Sequence, residues 1–175
     1  QDAAPEDATS TVRFVEVGWL DIETTTATTR VVLEAMGYNT SSDTVSVPVA
    51  YEGMGANDAD IFLGYWHPSM ESIAQPHFDR GSVENVALNL EGAKYTLAVP
   101  DFLAERGLTS FGDIADFAEE LEYKIHGIEA GNDGNQLIKK MIDTDAFGLG
   151  EFEVVDSSEA GMLAEVKSRE PREEP

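Results

Sequence analysis

With 175 residues, 42% of them hydrophobic, the chain can bury a sizeable core as one domain or as two small lobes. Its 34 acidic residues against 11 basic ones give a formal net charge of -23. That balance excludes nucleic acid and anionic membrane surfaces as partners, because nothing could replace the counterions around phosphate, and it fits a protein working in salty surroundings. The absence of cysteine excludes disulfide scaffolds, thiolate metal sites and thiol catalysis.

In chain order, residues 1–10 are rich in Ala, Asp, Glu and Pro, with neither a basic start nor an apolar stretch. They read as the frayed beginning of a mature chain whose signal peptide has been removed. Val12 to Val17 is an apolar strand, followed by a loop and a helix over Ile22 to Met36, with Gly37 at the C-cap position. The threonines between Thr24 and Thr29 are poor helix formers, yet their hydroxyls suit a helix start that faces a ligand or another lobe. Alternation of Val45, Val47 and Val49 predicts a strand over Thr44 to Val49, with Pro48 placing it at an edge or a strand end. Asp60 to Gly64 is a third strand, and His67, Pro68 and Met70 open a helix whose first turn begins with proline.

Lys94 to Val99 reads as a strand that crosses into a second lobe. The expected division is therefore a first lobe over 11–93 and a second over 94–167. Two helical segments follow between Phe102 and Glu122, the second opened by Ser110 with Asp113 three residues on, an Asp variant of the capping box. Ile125 to Ile128 is a short strand; Gly131 to Asn135 bring backbone close to a neighbour and lead into a helix from Gln136 to Ile142. Phe152 to Val155 is the last strand, and Ser157 with Ser158 caps a helix holding Met162, Leu163 and Val166. Residues 168–175 have nothing to bury and read as a disordered acidic tail. Strands alternating with helices predict an α/β fold with mostly parallel sheets.

The chain has two tryptophans, and each comes directly off an apolar run: Trp19 after Val17 and Gly18, Trp66 after Leu63, Gly64 and Tyr65. In open α/β sheets ligands bind outside the carboxyl ends of the strands, so rings there are informative. A large aromatic at such a place is also a common lid of the hydrophobic core. Glycine beside each ring and Asp21 close to Trp19 favour a cation-binding site. Three other chemistries fit poorly. A metal-dependent hydrolase would rest on His67, Glu71, His77 and Asp79, whose spacing matches no zinc motif, with His126 inside a strand. The Gly131 to Asn135 segment lacks the alternating carboxylates of a calcium loop and the Lys of a phosphate loop. No Gly-x-Ser-x-Gly elbow is present for a serine nucleophile.

Several segments together resemble the periplasmic choline and glycine betaine binding proteins of ABC importers, which have the type II periplasmic binding protein fold. They are Val17-Gly18-Trp19-Leu20-Asp21, Ile61 through Met70, Leu90 through Ala98, Gly127 through Asn135, and Ser157 through Leu163. The resemblance implies two α/β lobes closing on a quaternary ammonium ligand inside an aromatic box. Trp19, Trp66 and Tyr95 would wall it, Asp21 would supply the counter-charge, and Asn132 with Asp133 would meet the polar end. It implies a binding protein and not an enzyme, with no metal or cofactor, a membrane permease as partner and a periplasmic location.

The family pattern continues past the position of Pro175 and brings a further tryptophan. The resemblance therefore implies a C-terminally truncated chain, with a first lobe short of strands and a cage open on one side. Association with a second chain could then complete that lobe, and a truncated, non-binding interaction module is the alternative outside transport. No Arg or Lys falls near the pocket motifs to meet a betaine carboxylate, so choline is expected ahead of glycine betaine, carnitine or a sulfonium analogue.

Overall fold

The computed structural model describes residues 11–172. The frayed start expected for 1–10 and the last part of the expected tail, 173–175, lie outside these described residues. In chain order the elements are β1 (Thr11–Glu16), α1 (Leu20–Ala35), β2 (Asn39–Thr44), α2 (Val47–Gly55), β3 (Ile61–Phe62), α3 (Glu71–Asp79), α4 (Asp101–Glu105), β4 (Lys124–His126), α5 (Asp133–Asp143), β5 (Glu153–Val155) and α6 (Glu159–Arg169). Short 3-10 helices lie at Phe111–Phe117, Ala146–Gly148 and Glu170–Arg172. The chain forms two compact units that divide between Asn89 and Leu90, a few residues before the boundary expected at 93.

In the first unit β1 is the central strand of a parallel sheet of order β2-β1-β3. Its apolar core residues explain that position: Phe14 is wholly buried and Val15 nearly so, as is Val17 just past the strand's end. Val15 packs with Ala50 and Ala59, flanked by Met54 and Phe62. Tyr51 on α2 is the aromatic centre of the opposite layer, edge-on to Phe62 at 5.8 Å and to Phe78 at 6.4 Å, and tilted against His77 at 5.8 Å. At the start of the sheet Arg13 clamps Asp60: its Nη2 donates to Oδ1 at 2.7 Å and its Nε to Oδ2 at 3.0 Å.

The second unit carries the parallel pair β4-β5, registered Lys124 with Glu153 through His126 with Val155. Its core gathers Leu103, Leu108, Ile114, Ile125, Leu149 and Phe152. The expected capping box is present, with Ser110 and Asp113 satisfying each other's backbone N–H groups at the start of the 3-10 helix.

Five expectations are corrected. The strand predicted over 44–49 lies earlier, at β2; Val47 and Pro48 begin α2, where the first helical turn has no partner for the missing N–H of proline. Pro68 sits in a turn, after a cis His67–Pro68 bond, and the helix begins only at Glu71. Residues 94–99 form no ladder, since nothing among the described residues hydrogen-bonds to them as a strand. Helix α5 starts at Asp133 and not at Gln136, because Asn132 caps it. Residues 168–172, expected as loose tail, continue α6 and a 3-10 turn, supported by Arg169 to Glu165 at 2.6 Å and by basic residues in the last turn.

The Arg13 guanidinium holds the Asp60 carboxyl below the usual carboxylate range, chiefly by direct hydrogen bonding. A depressed folded-state pKa stabilises the fold above the unfolded value of about 3.9 and ceases to do so as pH falls through the folded value. Asp60→Asn is therefore expected to lower unfolding free energy at pH 7 by about 0.5–1 kcal/mol, as for partly exposed ion pairs. In urea titrations the gap to the wild type should narrow as pH falls below the unfolded value of about 3.9; a gap that does not narrow with acid would mean the pair acts through packing.

Candidate ligand-binding site

The two tryptophan segments meet through the sheet. Because β1 and β3 are parallel hydrogen-bonded neighbours, paired Phe14 with Ile61 and Val15 with Phe62, both strands end at the same edge. Trp19 and Trp66 lie just beyond those ends. Gly18 turns the chain out of β1 with a left-handed φ of +72°, a conformation that costs other residues more. Trp19 then takes the N-cap position of α1 in extended backbone, its carbonyl accepting from the Glu23 N–H at 2.9 Å. The residue is 7% exposed, so it belongs to the core as well as to the sheet edge.

Asp21, in the first turn of α1, is exposed and sits at the positive end of the helix with Glu23. Behind them most of the threonine hydroxyls bond to their own helix. Thr24, Thr25, Thr28 and Thr29 each donate to the carbonyl four residues back, at 2.6–2.9 Å, while Thr26 is buried. Trp66 is half-buried, and its turn is pinned by its carbonyl, which accepts from the Met70 N–H at 2.9 Å and the Ser69 hydroxyl at 3.1 Å. Gly64 is required by packing, since a Cβ there would come within 2.8 Å of the Phe62 ring.

The second unit assembles Tyr95, Asn132 and Asp133 around the start of α5. Asn132 is buried and its Oδ1 caps the helix, accepting from the N–H groups of Gly134 at 2.8 Å and Asn135 at 3.3 Å. The Tyr95 hydroxyl donates to the same oxygen at 3.2 Å, and Asn132 Nδ2 donates to Glu129 Oε1 at 3.1 Å. Asp133 is buried beside them, while Tyr95 remains half exposed with its hydroxyl held. Desolvation, then the charges of Asp133 and Glu129, push the Tyr95 phenol up to about 12.

Sequence reasoning missed the support behind this cluster. Asn135 donates from Nδ2 to the Ile128 carbonyl at 3.0 Å and to Asp156 at 2.8 Å, accepts from the Ile128 N–H at 3.2 Å, and Lys139 completes the set on Asp156 at 2.7 Å. The available signal was the second Asn of Gly-Asn-Asp-Gly-Asn, together with Gly127, where a Cβ would meet Asn135 at 2.5 Å. Of the residues weighed for a hydrolase, His77 is buried against Tyr51 and accepts from Arg80 at 3.2 Å, and among the described residues no metal-holding cluster occurs.

A family model for the substrate binding domain of ABC-type glycine betaine transport systems matches residues 10–175. A Chromohalobacter salexigens protein described as uncharacterized protein ORF1 is 59% identical over 128 residues, 73% of this chain and 83% of that one. Among solved structures, an ABC-transporter choline binding protein in complex with choline superposes with a TM-score of 0.91 at 51% identity, covering 94% of this chain and 57% of the other. A lactococcal OpuAC complexed with glycine betaine shares the fold, with a TM-score of 0.79 at 21% identity over 94% of this chain and 62% of its own. The chain thus spans less than two thirds of the length of these solved relatives.

Gly134 leaves no room for a side chain: a Cβ would lie 2.0 Å from the Tyr95 hydroxyl. Gly134→Ala is expected to push the phenol out towards water. Absorbance titration of the wild type should then show one tyrosinate appearing near pH 12, missing in Tyr95→Phe and moved towards 10 in Gly134→Ala. Because the raised value favours the neutral form, the stability it confers is present below about pH 10 and lost as pH climbs to the folded value.

Proposed function

The chain belongs to the family of substrate-binding domains of ABC-type glycine betaine transport systems, and from that premise we propose that it captures a quaternary ammonium compound, choline before glycine betaine. The observation that carries this reading is the shared sheet edge at which the parallel strands β1 and β3 deliver Trp19 and Trp66. The 51% identical relative crystallised with choline supports the choice of ligand.

A fully methylated nitrogen has no N–H to donate, so ring faces and not hydrogen bonds must hold it. The first unit offers Trp19 and Trp66, with Asp21 as counter-charge; the second offers Tyr95, with Asn132 and Asp133 towards the ligand's polar end. Each ring contributes about 0.5–2 kcal/mol, and micromolar affinity needs about 8 kcal/mol. Three rings and one carboxylate approach that total. Choline's hydroxyl matches a cluster of amide and carboxylate groups better than a betaine carboxylate would, since Asp133 and Glu129 would repel an anion. In this reading the protein works in the periplasm and hands its ligand to a membrane permease.

Titration with choline, glycine betaine and carnitine, followed by tryptophan fluorescence, tests the proposal. Choline should produce a saturable change, and Trp66→Ala should weaken its binding at least tenfold, about 1.4 kcal/mol. A folded protein that responds to none of the three is a docking module and not a receptor; an unchanged affinity in Trp66→Ala removes that ring from the site.

A further inference from the structure

One residue grips Trp66 at both of its backbone groups. The Met70 N–H closes the turn by donating to the Trp66 carbonyl at 2.9 Å, and the Met70 side chain reaches back so that its Sδ accepts from the Trp66 N–H at 3.4 Å. A residue has two soft backbone dihedrals, and holding its N–H and its C=O at once restrains both. The direction of the Trp66 Cα–Cβ bond follows, which leaves the ring only its own side-chain rotamers.

Met70 is itself well anchored. It is wholly buried, it occupies the N-cap position of α3, and its carbonyl accepts from the N–H groups of Ile73 and Ala74, each at 3.0 Å. Helix α3 is seated in turn by buried Ala74 and by His77, whose ring centre lies 5.8 Å from that of Tyr51 on α2. A run of fixed groups therefore joins the middle of this layer to Trp66.

The residue type matters at this place. Leucine would fill similar space without an acceptor, and an amide or hydroxyl would bring further polar atoms into a site that water does not reach. The thioether meets both demands: it is unbranched and packs as an apolar side chain, and its sulfur is a weak acceptor. Without that acceptor a half-buried N–H gains by turning towards water, and the ring turns with it.

We propose that Met70 is a positioning residue of the ligand site, its sulfur and its N–H together setting the direction in which Trp66 is presented at the sheet edge. The step from a held ring to ligand affinity rests on the reading of Trp66 as a wall of that site. A cation gains from a ring within about 6 Å of its centroid, so a change of direction at the Trp66 Cα is felt as lost affinity although Met70 touches no ligand.

The test is Met70→Leu in the full chain, a swap of similar volume that cores tolerate and that removes the acceptor. The chain's two tryptophans make the readout internal: with fluorotryptophan incorporated, fluorine NMR gives a resonance for each, assigned with Trp66→Phe. The Trp66 resonance should shift or split and its amide exchange should quicken at least tenfold, while the Trp19 resonance stays in place. Choline affinity, read by calorimetry, should fall at least fivefold. If Met70→Leu does not fold, protein carrying norleucine for methionine, which keeps the length without the sulfur, should show the same changes, and selenomethionine, which keeps an acceptor, should restore the wild-type pattern. An unchanged Trp66 resonance and exchange rate overturn the proposal, and so does a change shared by Trp19, which marks a general loosening. A choline affinity that falls in Trp66→Ala but not in Met70→Leu overturns it too. An affinity that falls in neither variant, or a wild type that binds no choline, is the failure of the ligand reading, and the fluorine and exchange readouts then decide by themselves whether the sulfur holds Trp66.

Discussion

Parallel pairing along both edges of β1 is the constraint on which the first unit depends. A strand paired on both sides is buried where it crosses the core, and β1 meets that at Phe14 and Val15, continued by Val17 just past its end, where the flanking β2 has no buried residue. The same pairing fixes direction. Parallel strands leave the sheet at one edge, so the segments after β1 and β3 are neighbours whatever their side chains are. Glycines then convert the shared edge into a useful one: Gly18 allows the reversal into α1 that sets Trp19 at its N-cap, and Gly64 lets the chain pass the Phe62 ring on its way to Trp66.

In the second unit a single amide plays the corresponding part. Asn132 Oδ1 accepts from two helix N–H groups and from the Tyr95 hydroxyl, so the cap that starts α5 also orients the aromatic ring. Helix starts expose unsatisfied N–H donors, and a buried side-chain oxygen that meets them contributes about 1 kcal/mol. Tyr95 is thereby tied to the helix geometry by its hydroxyl while the residue stays half exposed. Asn135 extends the network to Ile128 and Asp156, which locks the start of α5 to the ends of β4 and β5. Residues read from the sequence as ligand contacts are thus also part of what holds the unit together.

The strands were legible where one residue pattern had one reading. Val12 to Val17 announces β1 to within a residue, and the Ser110 and Asp113 pair announces its cap. The prediction over 44–49 failed because valine alternation also fits the start of α2, and the real β2, Asn-Thr-Ser-Ser-Asp-Thr, is an edge strand held by register with β1 and not by its own hydrophobicity. Residues 94–99 carry a strand-like sequence, but among the described residues no strand forms a ladder with them, and pairing is a property of two segments. The candidate site was legible as residue types. What the sequence withheld was the double placement of Trp19, buried and at the N-cap position of α1, and of Asn132, buried and bridging.

That double placement bears on affinity. Binding loses free energy to ordering, about 0.5–1.5 kcal/mol for each flexible side chain immobilised, and in the proposed site three rings supply at most about 6 kcal/mol of the about 8 kcal/mol that micromolar binding demands, so little can be lost. Rings that are already fixed avoid most of that loss. Trp19 is held by the core and by α1, Trp66 by a turn closed through Met70 and Ser69, and Tyr95 by Asn132. An acidic surface attracts any cation, choline and sodium alike, but only preset ring faces favour a bulky, weakly hydrated one over a small ion that keeps its water. Under the proposed function, selectivity for methylated nitrogen rests on how firmly each unit holds its own rings, and the charge of the chain supplies attraction without discrimination.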